Sequence, residues 1–396
     1  MAPERKPGAG RAPKVLKIAV FTDTYLPQMN GVVSYLVDSI GVLSKKHKVV
    51  LFAPGEKLKT EDVNPNIRIH WIPSSPFPFY EGYRIASMNY KRVSDMLRKE
   101  APDVVHVHAP INLGLQGMIS AKRKRIPVIV TYHTHFPDYV PHLMSGKLPG
   151  PLRKISELTV KKMIKHVFRQ ADLVTAPTME LVRELRSYGL QNVIHIPNGI
   201  DFACLKCTAG EAERFRKAHD IPKTKVALYL GRISFEKRID RLLEAFKLAR
   251  GMTLVVAGGG PYLDNFRKFA KMLGLKNVIF TGFVENKAAA YCCADVFVSA
   301  SDSETFGLTY VEAMRMGLPV VAVNRLGAKE IVQGGKTGFL CEPEDRKCFA
   351  KALEKLMAGP ALRKRMSLAA KEAAKKYSVE SSVAKTIGIY EELLEK

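Results

Sequence analysis

The chain has 396 residues, 46% of them hydrophobic, and a formal net charge of +24 at pH 7, a length that suits two α/β domains better than one core. No apolar run approaches the ~18 residues of a membrane span, which excludes a transmembrane helix, and the absence of any RNP-like, KH-like or zinc-finger pattern leaves no specific nucleic acid as an expected partner. The charge still predicts attraction to polyanions, among them anionic lipid and phosphorylated substrates.

Residues 1–14, MAPERKPGAGRAPK, carry charge, Pro and Gly without an apolar stretch, and predict a disordered basic tail, not a signal peptide. Short β-branched runs then alternate with helical patterns. KIAVFT (17–22), KVVLFA (48–53), RIHWI (68–72), DVVHVH (103–108), PVIVTYH (127–133), LVTAP (173–177) and VIHIP (193–197) read as strands. GVVSYLVDSIGVLSKK (31–46) and YKRVSDMLRKE (90–100) read as helices between them. The segment 197–213 loses periodicity and serves as a junction. The pattern restarts with VALYLG (226–231), TLVVAG (253–258), VIFTG (278–282), DVFVSA (295–300), PVVAV (319–323) and GFLC (338–341). Such alternation predicts an α/β fold of two doubly wound, Rossmann-like domains, 15–200 and 201–377, facing a central cleft. The last segment, 378–396, is a helix whose apolar stripe (Val383, Ile387, Ile389, Tyr390, Leu393) either closes the second domain or crosses back to the first.

Ligands of such sheets bind beyond the carboxyl ends of the strands, so the loops there hold the chemistry. The first loop, DTYLPQMNG (23–31), has no G-x-G-x-x-G, which argues against a conventional NAD or FAD site; Gly31 alone opens the helix and allows a phosphate to approach its amides. GRISFEKRID (231–240) places Arg232 and Lys237 where a departing diphosphate needs positive charge. GGGP (258–261) reads as a plain turn, whose small residues would also admit close approach of backbone or substrate. In SDSETFGLTYVEAMRMGLPVV (301–321), the amides of Thr305, Phe306, Gly307 and Leu308 form a helix N-terminus that seats phosphate, flanked by Glu304 and Glu312. The two carboxylates stand about 9 Å apart along a helix of ~1.5 Å rise. Carboxylates on either side of a phosphate seat match a sugar nucleotide, with hydroxyls at both ends of its diphosphate.

His133 ends a strand toward the cleft, with His135 two residues on; His106 and His108 share a strand face and read as buried partners. No H-E-x-x-H or D-x-D is present, and Cys204 and Cys207 form a C-x-x-C without a matched second pair, so no metal is expected. Six cysteines without an export signal predict reduced thiols.

These pieces in this order resemble the retaining glycosyltransferases of family 4, with the GT-B fold, from residue 16 to the C-terminus: FTDTYLPQMNGVVSY, DVVHVHAP, YHTHF, PNGID, GRISFEKRID, GGGP, GFV (282–284) and the E-x7-E of Glu304 and Glu312 with FGLTYVEAMRMGLPVV. The resemblance implies that Arg232 and Lys237 bind the donor diphosphate and that Glu312 binds the ribose. Glu304 and the Phe306, Gly307 and Leu308 amides meet the sugar and phosphates, Gly31 seats the diphosphate from the first domain, His133 touches the transferred sugar, and Phe283 and Val284 lie by the base. It implies no cofactor or metal, a UDP- or GDP-hexose donor, closure of the domains on substrate, and a last helix crossing to the first domain. Retention by two carboxylates requires them about 5 Å apart, so a same-face reaction is expected, in which the departing phosphate oxygen takes the acceptor's proton.

FTDTYLPQMNGVVSYL and YHTHFPDYV look most like glycosyltransferases acting on diacylglycerol or phosphatidylinositol-type lipids. The basic segment 147–170 sets Lys154, Lys161, Lys162, Lys165 and Arg169 against Leu152, Ile155, Leu158, Val160 and Ile164, and KRKR (122–125) adds charge. Both suit an anionic membrane surface, and the expected location is the cytoplasm, peripheral on the inner face of the cell membrane. A core-facing helix with a solvated basic face is the other reading of 147–170. The alternatives for function are a soluble sugar or polysaccharide acceptor, and a nonenzymatic nucleic-acid binder.

Overall fold

The computed structural model describes residues 15–77, 84–135 and 150–395. The expected disordered tail, residues 136–140 of YHTHFPDYV and residues 147–149 of the basic segment lie outside the described residues.

The described residues form a nine-stranded and a six-stranded sheet. The first contains β1 (Lys17–Thr22), β2 (Lys48–Gly55), β3 (Lys59–Asn64), β4 (Ile67–Pro76), β5 (Arg84–Ala86), β6 (Val104–His108), β7 (Val128–Thr131), β8 (Leu173–Ala176) and β9 (Val193–His195). The second contains β10 (Lys225–Leu230), β11 (Met252–Ala257), β12 (Val278–Gly282), β13 (Val296–Ser299), β14 (Val320–Val323) and β15 (Gly338–Cys341). Every strand expected from the sequence forms. β3 and β5 were not expected: KTEDVN is almost fully exposed and has no apolar period, and it pairs antiparallel with β4 at the sheet's edge, where no buried face demands alternation.

Strand order is β3-β4-β2-β1-β6-β7-β8-β9 in the first sheet and β12-β11-β10-β13-β14-β15 in the second. In both, the chain winds outward on one side, returns, and winds outward on the other. The reversals fall between β1 and β6 and between β10 and β13, and ligand crevices open at the carboxyl ends of such strand pairs. The core strands are apolar on both faces: β2 buries six consecutive residues and β11 all six of its own.

The last helix, Val379–Leu394, leaves the second domain and packs on the first. Val379, Val383 and Tyr390 share a core with Ile18, Val20, Leu36 and Ile40, and the Tyr390 hydroxyl lies 2.7 Å from His106 Nδ1.

One open reading is decided, in favour of the core-facing helix, and one expectation is corrected. In the helix Gly150–Phe168, Val160 and Ile164 are buried in the first domain's core with Phe168. They therefore cannot form a membrane-facing stripe, because burying them against the sheet already satisfies the apolar period. Leu158 and Met163 point outward instead, 58% and 51% exposed. The thiols are also not all reduced. Cys341 at the end of β15 is joined to Cys348, with Cα atoms 5.7 Å apart, because the helix Arg346–Ala358 turns back beside that strand end. Cys204, Cys207, Cys292 and Cys293 are free.

Candidate active site

Both switch points face each other across the domains. The loop after β13 leads into the helix Leu308–Arg315, whose N-cap is Gly307 at φ +87°. That left-handed conformation suits glycine, and a glycine brings no side chain to cap the first turn, so N–H groups of that turn are left for a ligand. Phe306, just before it, is buried in the second domain's core and anchors the turn. Gly31 opens the helix Gly31–Leu43 on the first domain. A Cβ built on Gly31 would lie 3.8 Å from Leu308 Cδ1, so two helix N-termini meet, and their dipoles add positive potential at one place.

The loop carrying Glu304 is laced to the loop after β10. Ser301 and Ser303 hydroxyls donate to the Glu236 carbonyl at 3.3 and 3.4 Å, and Arg241 Nη1 lies 2.6 Å from Asp302. Lys237, on the short turn Phe235–Lys237, reaches Glu304 at 2.6 Å. Arg232 leaves the end of β10 on the same loop, partly exposed. The Glu304 carbonyl accepts from Gly327 N–H at 2.9 Å.

Glu312 does not behave as a solvated helix carboxylate. It is 6% exposed, accepting from Lys287 Nζ at 2.5 Å and from the Tyr291 hydroxyl at 2.7 Å. Burial opposes the charge on Lys287, but the Glu312 carboxylate against it outweighs that and raises its pKa above the ordinary value. Lys287 and Tyr291 escape sequence reading: both belong to a six-residue helix, Lys287–Cys292, with no motif of its own. Phe283 stands at the rim, 72% exposed, beside Gly259 of GGGP, and Val284 is half-buried against the second domain's core.

On the first domain β7 ends at Thr131, and His133 follows, 6% exposed. Its carbonyl accepts from the Thr305 hydroxyl at 2.6 Å, a bond across the two domains. Its Nε2 lies 2.8 Å from His108 Nδ1. His106 takes the structural part, between Tyr390 and the Thr131 hydroxyl. Burial drives His133 and His106 down to about 3 and His108 well below the ordinary value, so all three rings are neutral at physiological pH. His135 turns away to Glu184, 3.0 Å from both oxygens. Among the described residues, no three His, Cys, Asp or Glu side chains are grouped to hold a metal.

What converges is therefore Gly31, His133, Lys237, Glu304 and the Gly307–Leu308 turn, with Glu312 held nearby by Lys287 and Tyr291. Residues 29–203 match the model of Glycosyltransferase Family 4, and residues 211–373 match that of Glycosyl transferases group 1. The chain is 34% identical to an alpha-monoglucosyldiacylglycerol synthase of Streptococcus pneumoniae, over 87% of this chain and 79% of that one. It is 28% identical to a GDP-mannose-dependent alpha-mannosyltransferase of Mycobacterium tuberculosis, over 82% and 83% of the two chains. HepE of Anabaena, solved in complex with UDP-glucose, superposes with a TM-score of 0.76 at 18% identity, covering 94% of this chain and 99% of its own.

Proposed function

The chain belongs to the family 4 glycosyltransferases of the GT-B fold and is a retaining hexosyltransferase, and from that premise we propose that it moves a hexose from a UDP- or GDP-sugar to a membrane lipid. The observation that carries the donor half is the Lys237–Glu304 pair beside two facing helix N-termini at the two switch points. A relative named as a glucosyldiacylglycerol synthase and a structural neighbour holding UDP-glucose support the acceptor and the donor class.

In this reading the diphosphate sits between Gly31 and the Gly307–Leu308 amides. Arg232 and Lys237 offset the charge that grows on it as its bond to the sugar breaks, the effect that removal of one preorganised donor exposes most clearly. Glu312, aimed by Lys287 and Tyr291, accepts from the ribose hydroxyls. Glu304 and His133 meet the sugar, and Phe283 and Val284 lie by the base. The departing phosphate oxygen takes the acceptor hydroxyl's proton on the face that the leaving group vacates, which retains configuration without a carboxylate nucleophile. Charge stabilisation supplied wholly by the protein predicts that transfer from radiolabelled UDP- or GDP-hexose into a lipid extract persists in excess EDTA. Loss of product restored by Mg²⁺ or Mn²⁺ is the contrary result.

For the acceptor side, no helix among the described residues is long and apolar enough to cross a membrane. The outer face of the helix Gly150–Phe168 and the residues after it present Lys162, Met163 and Arg169 with Leu158, while Lys161 lies over the Tyr188 ring. Each basic residue near an anionic surface is worth about 1 kcal/mol. Vesicles containing anionic lipid should therefore sediment the protein reversibly. Replacing Lys162, Lys165 and Arg169 with Gln should weaken that binding by about 3 kcal/mol at most, roughly 100-fold, with nucleotide affinity unchanged. Equal binding to neutral vesicles, or activity indifferent to lipid, moves the acceptor to a soluble sugar.

A further inference from the structure

We propose that His108 is a positioning residue for the transfer, acting through its hydrogen bond to His133 to set the tautomer and tilt of the ring that meets the sugar. The inference rests on the assignment of His133 to the transferred sugar.

His108 ends β6, one of the two strands flanking the first sheet's switch point, and His133 follows the neighbouring β7. The rings are stacked, with centroids 5.1 Å apart and planes at 21°. Tyr35 closes one side, its ring 5.3 Å from His133 and 6.0 Å from His108. The His106 ring backs His108 at 4.1 Å. Neither His108 nor His133 has room to swing, at 3% and 6% exposure.

A bond between two neutral imidazoles has one proton between the two nitrogens, so one ring donates and the other accepts. Because Nε2 of His133 is committed to His108 Nδ1, Nδ1 is the nitrogen of His133 that can address a sugar hydroxyl, and the sense in which it does so follows from the shared proton. The two tautomers can exchange only together. Burial keeps all three histidines of the cluster neutral, so the arrangement does not dissolve into two competing cations near neutral pH. Among the charged groups of the site, Lys237 is paired with Glu304 and Lys287 with Glu312. His108 itself need not touch substrate.

The test compares His108→Phe, His108→Asn, His133→Phe and the double variant His108→Phe/His133→Phe. Phenylalanine keeps the ring volume and removes the bond; asparagine places an amide near the Nδ1 position and restores a partner of either sense. Misplacement by about 1 Å costs up to about 100-fold, so His108→Phe should lower kcat by 10- to 100-fold, with the Kd of UDP or GDP changed by less than about 2-fold. His108→Asn should recover most of the loss, and the double variant should be no slower than His133→Phe alone. Full activity in His108→Phe beside an impaired His133→Phe overturns the positioning role and leaves His133 in place. Full activity in His133→Phe removes the premise and the proposal together. Multiplying losses in the double variant, or loss of nucleotide affinity in His108→Phe, shows a merely structural histidine and also overturns it. Should His108→Phe fold poorly, His108→Asn decides: an Asn variant that folds but stays as slow as His133→Phe sinks the idea.

Discussion

Replacing Lys237 with alanine is expected to slow hexose transfer by about 100- to 1000-fold, the ~2.7–4 kcal/mol that one preorganised stabilising group supplies. Two effects act in the same direction. The ammonium no longer offsets charge on the departing diphosphate, and Glu304, which it meets at 2.6 Å, is left as an unpaired carboxylate beside that diphosphate. Glu304→Gln in the Lys237→Ala background should therefore regain part of the lost rate, because it removes the repulsion without restoring the cation. The loop itself should hold, since the Ser301, Ser303 and Arg241 bonds that lace it do not involve Lys237. Single-turnover rates at saturating donor, together with the thermal midpoint, separate charge from structure. Arg232→Ala should fall in the same range. Turnover within a few-fold of the parent in both variants, with normal stability, would remove these two residues from the donor site.

Gly327→Ala should be nearly as damaging although position 327 touches no substrate in this reading. A Cβ there would lie 2.0 Å from the Phe306 carbonyl oxygen, 2.4 Å from its carbon and 2.6 Å from its Cα. All three are backbone atoms, so no rotamer change relieves the contact. Gly327 N–H also bonds to the Glu304 carbonyl. The methyl therefore pushes directly on the stretch Glu304–Gly307, and a shift of the order of 1 Å there costs about 100-fold in rate. Gly327 is the second residue of a helix, Leu326–Ile331, and alanine is favoured over glycine in helices by up to ~1 kcal/mol, so a loss cannot be ascribed to helix propensity. Gly334→Ala, with open space around its Cβ, is the control. The measurement is kcat and KM for donor alongside the thermal midpoint. Parent-like kinetics in Gly327→Ala would show that the Phe306 turn yields freely and does not need to be held.

The strands, the loops at their carboxyl ends and the E-x7-E turn were legible in the amino-acid sequence because their signals are local. A β-branched run bounded by turn residues, or a glycine before an amphipathic period, is written within ten residues. The edge strand Lys59–Asn64 was not, since an exposed antiparallel edge imposes no apolar pattern. The apolar face of the helix Gly150–Phe168 stayed between two readings, a membrane surface and the core. Its composition shows an apolar side and a basic side but does not say that the sheet, and not a membrane, takes Val160 and Ile164.

The site shows the same division. Gly31, His133, Arg232, Lys237, Glu304 and Glu312 stand out as residue types just beyond strand ends or in the helices that follow them, which periodicity and family resemblance can locate. Their partners do not. Glu312 is aimed by Lys287 from 25 positions away, His108 meets His133 across 25 positions, Thr305 reaches the His133 carbonyl across 172, and Tyr390 reaches His106 across 284. Each of these contacts exists because strand order places two loops side by side or because the last helix returns to the first sheet. Local sequence determines which elements form and which side chains they carry to the ligand edge. Which carboxylate is paired, which imidazole is tied and which glycine must stay bare are decided by close packing between distant segments, where a single methyl or one shared proton changes the geometry.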